Sequence, residues 1–95
     1  MLRRKYKRIA YETAAYHWNK VNREHPNWSE DRKRLKVRHA VEEQILHQRS
    51  SMGMKDGYGS LITSLLISLM IKFAFRLLDK WIQNRLLSVG AKYDG

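Results

Sequence analysis

Cysteine is absent from this chain of 95 residues, and proline occurs once, at Pro26. Without cysteine there is no disulfide and no thiolate ligand for a metal, and the redox compartment cannot be inferred. Acidic residues are also scarce, because nine Asp and Glu stand against 19 Lys and Arg, giving a formal net charge of +10. This excess favours anionic partners such as nucleic acid or anionic lipid headgroups, without choosing between them.

Signatures of catalysis and of nucleotide binding are missing as well. The one glycine-rich segment lacks both the third glycine of a dinucleotide fingerprint and the Gly-Lys-Ser/Thr of a phosphate loop. His39, Glu43 and His47 share one helix face, but the two histidines lie about 12 Å apart along the axis, too far to share an ion directly. We therefore expect no enzyme activity, no metal, no cofactor and no small-molecule substrate.

The pattern of helix formers and breakers predicts an all-α chain, too short for more than one small domain. We divide it into a basic helical hairpin over 1–49, a Gly-rich hinge over 50–59, a long hydrophobic C-terminal helix over 60–89 and a tail over 90–95. Within the hairpin, the break around Pro26 separates a first helix, Arg3–Glu24, from a second, Trp28–Gln48. Asn27 or Ser29 is predicted to cap the second helix.

The two hairpin helices carry apolar residues at helical spacing. On the first helix a wide, weakly apolar face is predicted from Leu2, Tyr6, Ile9, Ala10, Thr13, Tyr16, His17 and Val21, with a second strip of Tyr11, Ala15 and Trp18 beside it. On the second helix the stripes are sparse, with Val37, Ala40, Val41 and Ile45 in one and Leu35 and Leu46 in another. A first helix this rich in large aromatics requires neighbouring helices.

The C-terminal helix is predicted to start at a Ser60 cap and to stop at Gly90, with about 28 residues and a length of roughly 42 Å. A polar stripe follows steps of three or four through Ser64, Ser68, Lys72, Arg76, Asp79 and Gln83, with Asp79 placed to pair with Arg76. The predicted membrane or interface anchor is the apolar set Leu61, Leu66, Ile67, Met70, Ile71, Ala74, Leu77, Leu78 and Trp81.

Three ways of burying this apolar face stay open. The uninterrupted apolar run Leu61–Ile71 is shorter than the 18 or so residues of a membrane span, but Tyr58–Trp81 covers about 34 Å with an aromatic at each end. The helix could therefore span a bilayer, lie flat in its interface, or be buried against partner proteins. If it spans, the basic N-terminal half should stay on the cytoplasmic or interior side, and only residues 91–95 should cross. We expect membrane association.

Two groups of cations are candidate anion-binding sites. The N-terminal basic cluster comprises Arg3, Arg4, Lys5, Lys7 and Arg8, interleaved with Tyr6 and Tyr11 that could stack on bases. The second basic cluster comprises Arg32, Lys33, Arg34, Lys36 and Arg38, which point all around their helix and define no single groove-reading face. The alternative for the N-terminal cluster is a solvated basic end whose tyrosines pack on another helix.

This organisation favours a non-enzymatic structural or assembly subunit, anchored by its C-terminal helix in a membrane or a hydrophobic subunit interface. The basic half would dock on anionic headgroups, packaged nucleic acid or an acidic protein, and the most specific expectation is a minor component of a phage-type virus particle. The alternatives are a membrane-active lysis-type effector, an accessory subunit of an organellar membrane complex, and a nucleic-acid-binding helical module. No motif of a known family is recognisable in the sequence.

Overall fold

The computed structural model describes residues 2–48 and 59–84, with side chains in the second range from Ser64 onward. Across these ranges the backbone forms three α-helices and no strand. They are α1 (Arg4–Glu24), α2 (Glu30–His47) and α3 (Gly59–Gln83). The all-α class predicted from the sequence is confirmed.

The α1–α2 turn is formed by residues 25–29. The backbone N–H of His25 continues the helical pattern by donating to the Val21 carbonyl at 2.8 Å, and α1 ends there. Ser29 caps α2, since its hydroxyl oxygen accepts a hydrogen bond from the Arg32 N–H at 3.2 Å. Of the two predicted caps Ser29 is therefore confirmed and Asn27 is wrong, so α2 begins at Glu30 rather than Trp28.

One hydrophobic core is shared by the three helices. Its buried residues are Ala10, Ala14, Ala15, Trp18 and Val21 from α1, Val37, Val41 and Ile45 from α2, and Ile67, Met70, Ala74, Leu78 and Trp81 from α3. The α1 contribution is mostly alanine, whose small side chain allows neighbouring helices to pack closely. The third helix therefore completes a core that the hairpin alone would leave open.

The hairpin faces match the prediction in part. Val37, Val41 and Ile45 are buried as the sequence predicted for α2. Tyr16, which was assigned to the main apolar face of α1, is 53% exposed, so that assignment is wrong. Trp18, assigned to the side strip, lies in the core instead.

The apolar face of α3 is buried inside this bundle, which corrects its predicted role as a separate long apolar anchor. From Leu66 to Trp81 every residue predicted for that face is buried or half-buried, whereas every member of the predicted polar stripe is exposed. The helix is thus amphipathic and uses its apolar side within the chain. Gly59 and Ser60 are already helical, so the predicted Ser60 cap is wrong; the side chain of Leu61 and the predicted stop at Gly90 lie outside the described residues.

The predicted membrane localisation is wrong. No helix in the described parts of the chain is long and apolar enough to cross a membrane. In α3 the charged residues Lys72, Arg76, Asp79 and Lys80 follow the apolar run that ends at Ile71, and all four are exposed. The topology predicted for a spanning helix therefore does not apply.

The order of contacts shows how the helices run. Arg34 and Arg38 in the first half of α2 reach Asp79 near the end of α3. Leu46 near the end of α2 lines a groove with Ser64 and Ile67 near the start of α3, so α2 and α3 are antiparallel. Tyr11 in the first half of α1 packs on Trp81 in the last turn of α3. The end of α3 therefore contacts the first halves of both hairpin helices.

Candidate anion-docking surface

The second basic cluster is largely engaged inside the protein. Lys33 is only 7% exposed, and its ammonium donates hydrogen bonds to Asn22 Oδ1 at 2.8 Å and to the Pro26 carbonyl at 3.3 Å. Asn22 in turn donates through Nδ2 to the Trp18 carbonyl at 2.9 Å. Lys33 therefore fastens α2 to the end of α1, and its charge is satisfied by oxygen atoms of the turn.

Arg34 and Arg38 share one carboxylate, that of Asp79 on α3. The distance from Arg34 Nη1 to Asp79 Oδ1 is 3.5 Å, and that from Arg38 Nη2 to Asp79 Oδ2 is 3.2 Å. Arg34 also pairs with Asp31 at 2.7 Å, and the Arg38 guanidinium lies 4.8 Å from the centroid of the Phe75 ring. Asp79 does not pair with Arg76 as the sequence predicted, because two guanidiniums of α2 take its oxygen atoms.

The remaining two cations of this cluster differ from each other. The Arg32 guanidinium lies 4.1 Å from the centroid of the Trp28 ring, which itself stacks on His25 with centroids 3.8 Å apart. Lys36 is exposed and, among the residues that the structure describes, makes no ion pair, hydrogen bond or ring contact. Anion binding by the second basic cluster stays a prediction, and Lys36 alone could join it without giving up an internal contact.

The N-terminal basic cluster has the opposite character. Arg3, Arg4, Lys5 and Arg8 are exposed and Lys7 is half-buried. Lys5 lies 5.9 Å from the Tyr6 ring centroid, and no carboxylate in the described ranges forms a salt bridge with any of the five. The first eleven residues contain no Asp or Glu at all. These charges are therefore available to an external anion.

The two tyrosines of this cluster pack against the protein and are not free to stack on bases. Tyr6 is half-buried and packs against the core. Tyr11 meets the Trp81 ring edge to face, with centroids 5.5 Å apart and planes at 87°. The alternative in which the tyrosines pack on another helix therefore describes their positions.

A third group of cations, which sequence reasoning did not single out as a site, lies on α3. Lys72, Arg76 and Lys80 repeat every four residues and are exposed on the side opposite the buried face; we call them the α3 cationic stripe. The only acid of α3, Asp79, is held by α2. The signal was present in the sequence as cations at steps of four, but the predicted polar stripe contained only Lys72 and Arg76 of these three and was given no anion-binding role.

The Tyr11–Trp81 contact relates the positions of the two cation groups. Arg8 precedes Tyr11 by less than one helical turn, and Lys80 is adjacent to Trp81, so these two cations lie near the place where α1 and α3 pack. Lys72 lies further away, near the middle of α3. The N-terminal basic cluster and the α3 cationic stripe together are the candidate anion-docking surface.

Two grooves and one surface ion pair are further features of the described residues. A groove of about 270 Å³ between α2 and α3 is lined by Glu42, Leu46, Ser64, Ile67, Ser68 and Ile71. A second of about 240 Å³ lies between α1 and α2, beside the hydrogen bond of 2.6 Å from His17 Nε2 to Gln44 Oε1. His39 and Glu43 pair on the surface at 3.7 Å, and the described ranges hold no group of three potential metal ligands.

Fold and surface together define a small, basic three-helix bundle with two groups of cations that have no carboxylate partner among the described residues. The chain matches no protein-family model, no curated protein and no solved structure.

Proposed function

We propose that this chain is a small non-enzymatic assembly subunit that docks on an anionic partner through the N-terminal basic cluster. The observation that carries the proposal is the contrast between the two clusters. In the second cluster Arg34 and Arg38 pair with a carboxylate and Lys33 donates hydrogen bonds inside the protein, whereas the N-terminal cluster has no carboxylate partner in the described ranges and only a ring contact at Lys5. Like charges gathered without counter-charges destabilise a fold slightly and are useful when an external anion neutralises them.

The bundle supplies a rigid platform for such docking. The first turns of α1 are held by Tyr6 against the core and by Tyr11 against Trp81. A cluster fixed on a helix loses less conformational entropy on binding than the same charges on a free tail. The function proposed is therefore mechanical: the core sets the position of the charges, and the charges recognise the partner.

We do not propose the functions that require membrane insertion, because the apolar face of α3 packs against α1 and α2. This applies to the lysis-type effector and to the subunit of an organellar membrane complex. Membership of a phage-type particle stays a prediction, and no observation on the described residues bears on it.

The test compares two variants of equal charge. The variant R3Q/R4Q/K5Q removes three cations of the N-terminal cluster, and the control K20Q/R23Q/R49Q removes three cations of the segment 1–49 that belong to neither basic cluster. On immobilised heparin, a sulfated polyanion, we expect the first variant to elute at clearly lower salt than the control. Co-elution of the two would show that net charge alone governs binding and would refute a docking role for the cluster.

A further inference from the structure

We infer that the candidate anion-docking surface binds the phosphate backbone of a nucleic acid, with the α3 cationic stripe contacting phosphates alongside the N-terminal basic cluster. The inference rests on the proposed function and names its partner class. It assigns a binding role to Lys72, Arg76 and Lys80.

The first support is the geometry of the stripe. A step of four residues advances about 6 Å along a helix axis and returns to nearly the same face, so the three cations form a row about 12 Å long. A row of this kind matches an anion whose charge repeats along a chain better than a single small anion. Nucleic acid offers such a repeat.

The second support is that the one acid on this side of α3 is already paired. Asp79 is the only acidic residue of α3, and its carboxylate contacts Arg34 and Arg38 although its side chain is 48% exposed. Two guanidiniums of α2 therefore offset the one negative charge that would weaken phosphate binding. Lys72, Arg76 and Lys80 have no salt-bridge partner among the described residues.

The third support distinguishes nucleic acid from an acidic protein. Protein interfaces bind through buried aromatic or aliphatic anchors and are depleted in lysine at their centre. The large exposed apolar side chains of the described ranges are Tyr16, Leu35, Leu46, Leu65 and Leu69, and none of them lies in the first turns of α1 or beyond Lys72 on α3. Leu69 is 37% exposed and lies one turn before Lys72, but the rest of the surface carries charge without a large exposed apolar anchor, which suits a phosphate backbone.

The same observations predict how the nucleic acid is recognised. Tyr6 and Tyr11 pack towards the protein and offer no free platform for stacking bases. Arginine and lysine on helix surfaces contact phosphates without reading sequence. Binding should therefore be independent of sequence and strongly dependent on salt.

The experiment measures binding of the full chain to a fluorescein-labelled DNA duplex of two helical turns, about 20 base pairs, by fluorescence anisotropy. Titrations are repeated from about 50 mM to about 200 mM salt, which gives the slope of log K against log salt. The test variant is K72Q/R76Q/K80Q, and the control of equal net charge is again K20Q/R23Q/R49Q. Circular dichroism of each variant checks that the helices are intact.

We expect the stripe variant to lose about tenfold or more in affinity at the low-salt end and to lower the salt slope by about 2 to 3, roughly one per lost phosphate contact. The control should change both quantities much less. Equal losses in the two variants would overturn the inference, because binding would then follow net charge rather than this surface. Unchanged binding by the stripe variant would overturn it too.

A parallel titration with poly-L-glutamate separates this inference from the proposed function. If the protein binds polyglutamate or heparin through the N-terminal cluster but does not bind the duplex, the partner is an acidic protein or another polyanion, so the nucleic-acid assignment fails while the docking role stands. If R3Q/R4Q/K5Q leaves heparin binding at the control level but the stripe variant loses DNA binding, the proposed role of the N-terminal cluster fails instead.

Discussion

Tyr11 and Trp81 meet edge to face with ring centroids 5.5 Å apart, and this contact joins the first half of α1 to the last turn of α3 across 70 positions of the chain. The geometry suits the quadrupoles of the two rings, and the pair is worth about 0.5 to 1.5 kcal/mol beyond its buried area. Trp81 is also 5% exposed and belongs to the core. It therefore serves both the stability of the bundle and the placement of its charges.

Replacing Trp81 with alanine should lower the free energy of unfolding by about 3 to 5 kcal/mol, since the change removes a large buried ring and leaves a cavity. Chemical denaturation followed by circular dichroism measures it. The control is Leu35→Ala, at a residue 68% exposed, which should stay within about 0.5 kcal/mol of the parent chain. Similar effects of both changes would show that Trp81 is not packed as described.

A charge on the buried face of α3 should prevent folding. Ala74→Asp places a carboxylate at a residue with 0% exposure, where no partner can satisfy it, and we expect a loss of about 3 kcal/mol or more. Lys72→Asp puts the same group two residues away on the exposed face and should preserve the helical signal in circular dichroism. Normal folding of Ala74→Asp would contradict packing of α3 within the bundle.

Asp79 should contribute modestly to stability through Arg34 and Arg38. Asp79→Asn keeps the shape and removes the charge, and because all three side chains are more than a third exposed, solvent screening limits the expected loss to about 0.5 to 1 kcal/mol. The difference between variant and parent should shrink in high salt. Asp31→Asn, at a side chain 84% exposed, is the weaker control. A larger loss at Asp31 than at Asp79 would argue against the clamp.

Lys33 is expected to matter for its hydrogen bonds rather than for anion binding. Lys33→Met keeps most of the aliphatic stem but leaves the oxygen atoms of Asn22 and Pro26 without this donor, at a cost of about 1 to 2 kcal/mol. Lys36→Met makes the same replacement at an exposed residue and should change stability by less than about 0.5 kcal/mol. Equal melting temperatures would refute the structural role of Lys33.

Local periodicity predicted the helices and the orientation of α3. The apolar positions from Leu66 to Trp81 recur at three and four residues, and this spacing fixes which side is buried whatever covers it. It does not say what covers it. The aromatic residues of α1 indicated that it needs neighbouring helices, but its alanines at Ala10, Ala14 and Ala15 did not indicate that α3 would be one of them.

Contacts between residues far apart in the chain are the other feature that could not be predicted from the sequence. Arg38 and Asp79 are 41 positions apart, and their contact depends on how α2 and α3 align. A count of charges along the chain therefore overstated the second basic cluster and missed the α3 cationic stripe. Ser29 shows the contrast, since a cap depends on residues only three positions away and is predictable from them.

The positions of the three tryptophans give the protein a built-in optical reporter. Trp18 and Trp81 lie in the core, while Trp28 is half-buried in the α1–α2 turn beneath the Arg32 guanidinium. An indole shielded from water emits at shorter wavelength than a solvated one, so unfolding should shift the emission to the red. Because Trp81 is adjacent to Lys80, a form retaining only this tryptophan would let a ligand arriving at the basic end be detected without an added dye.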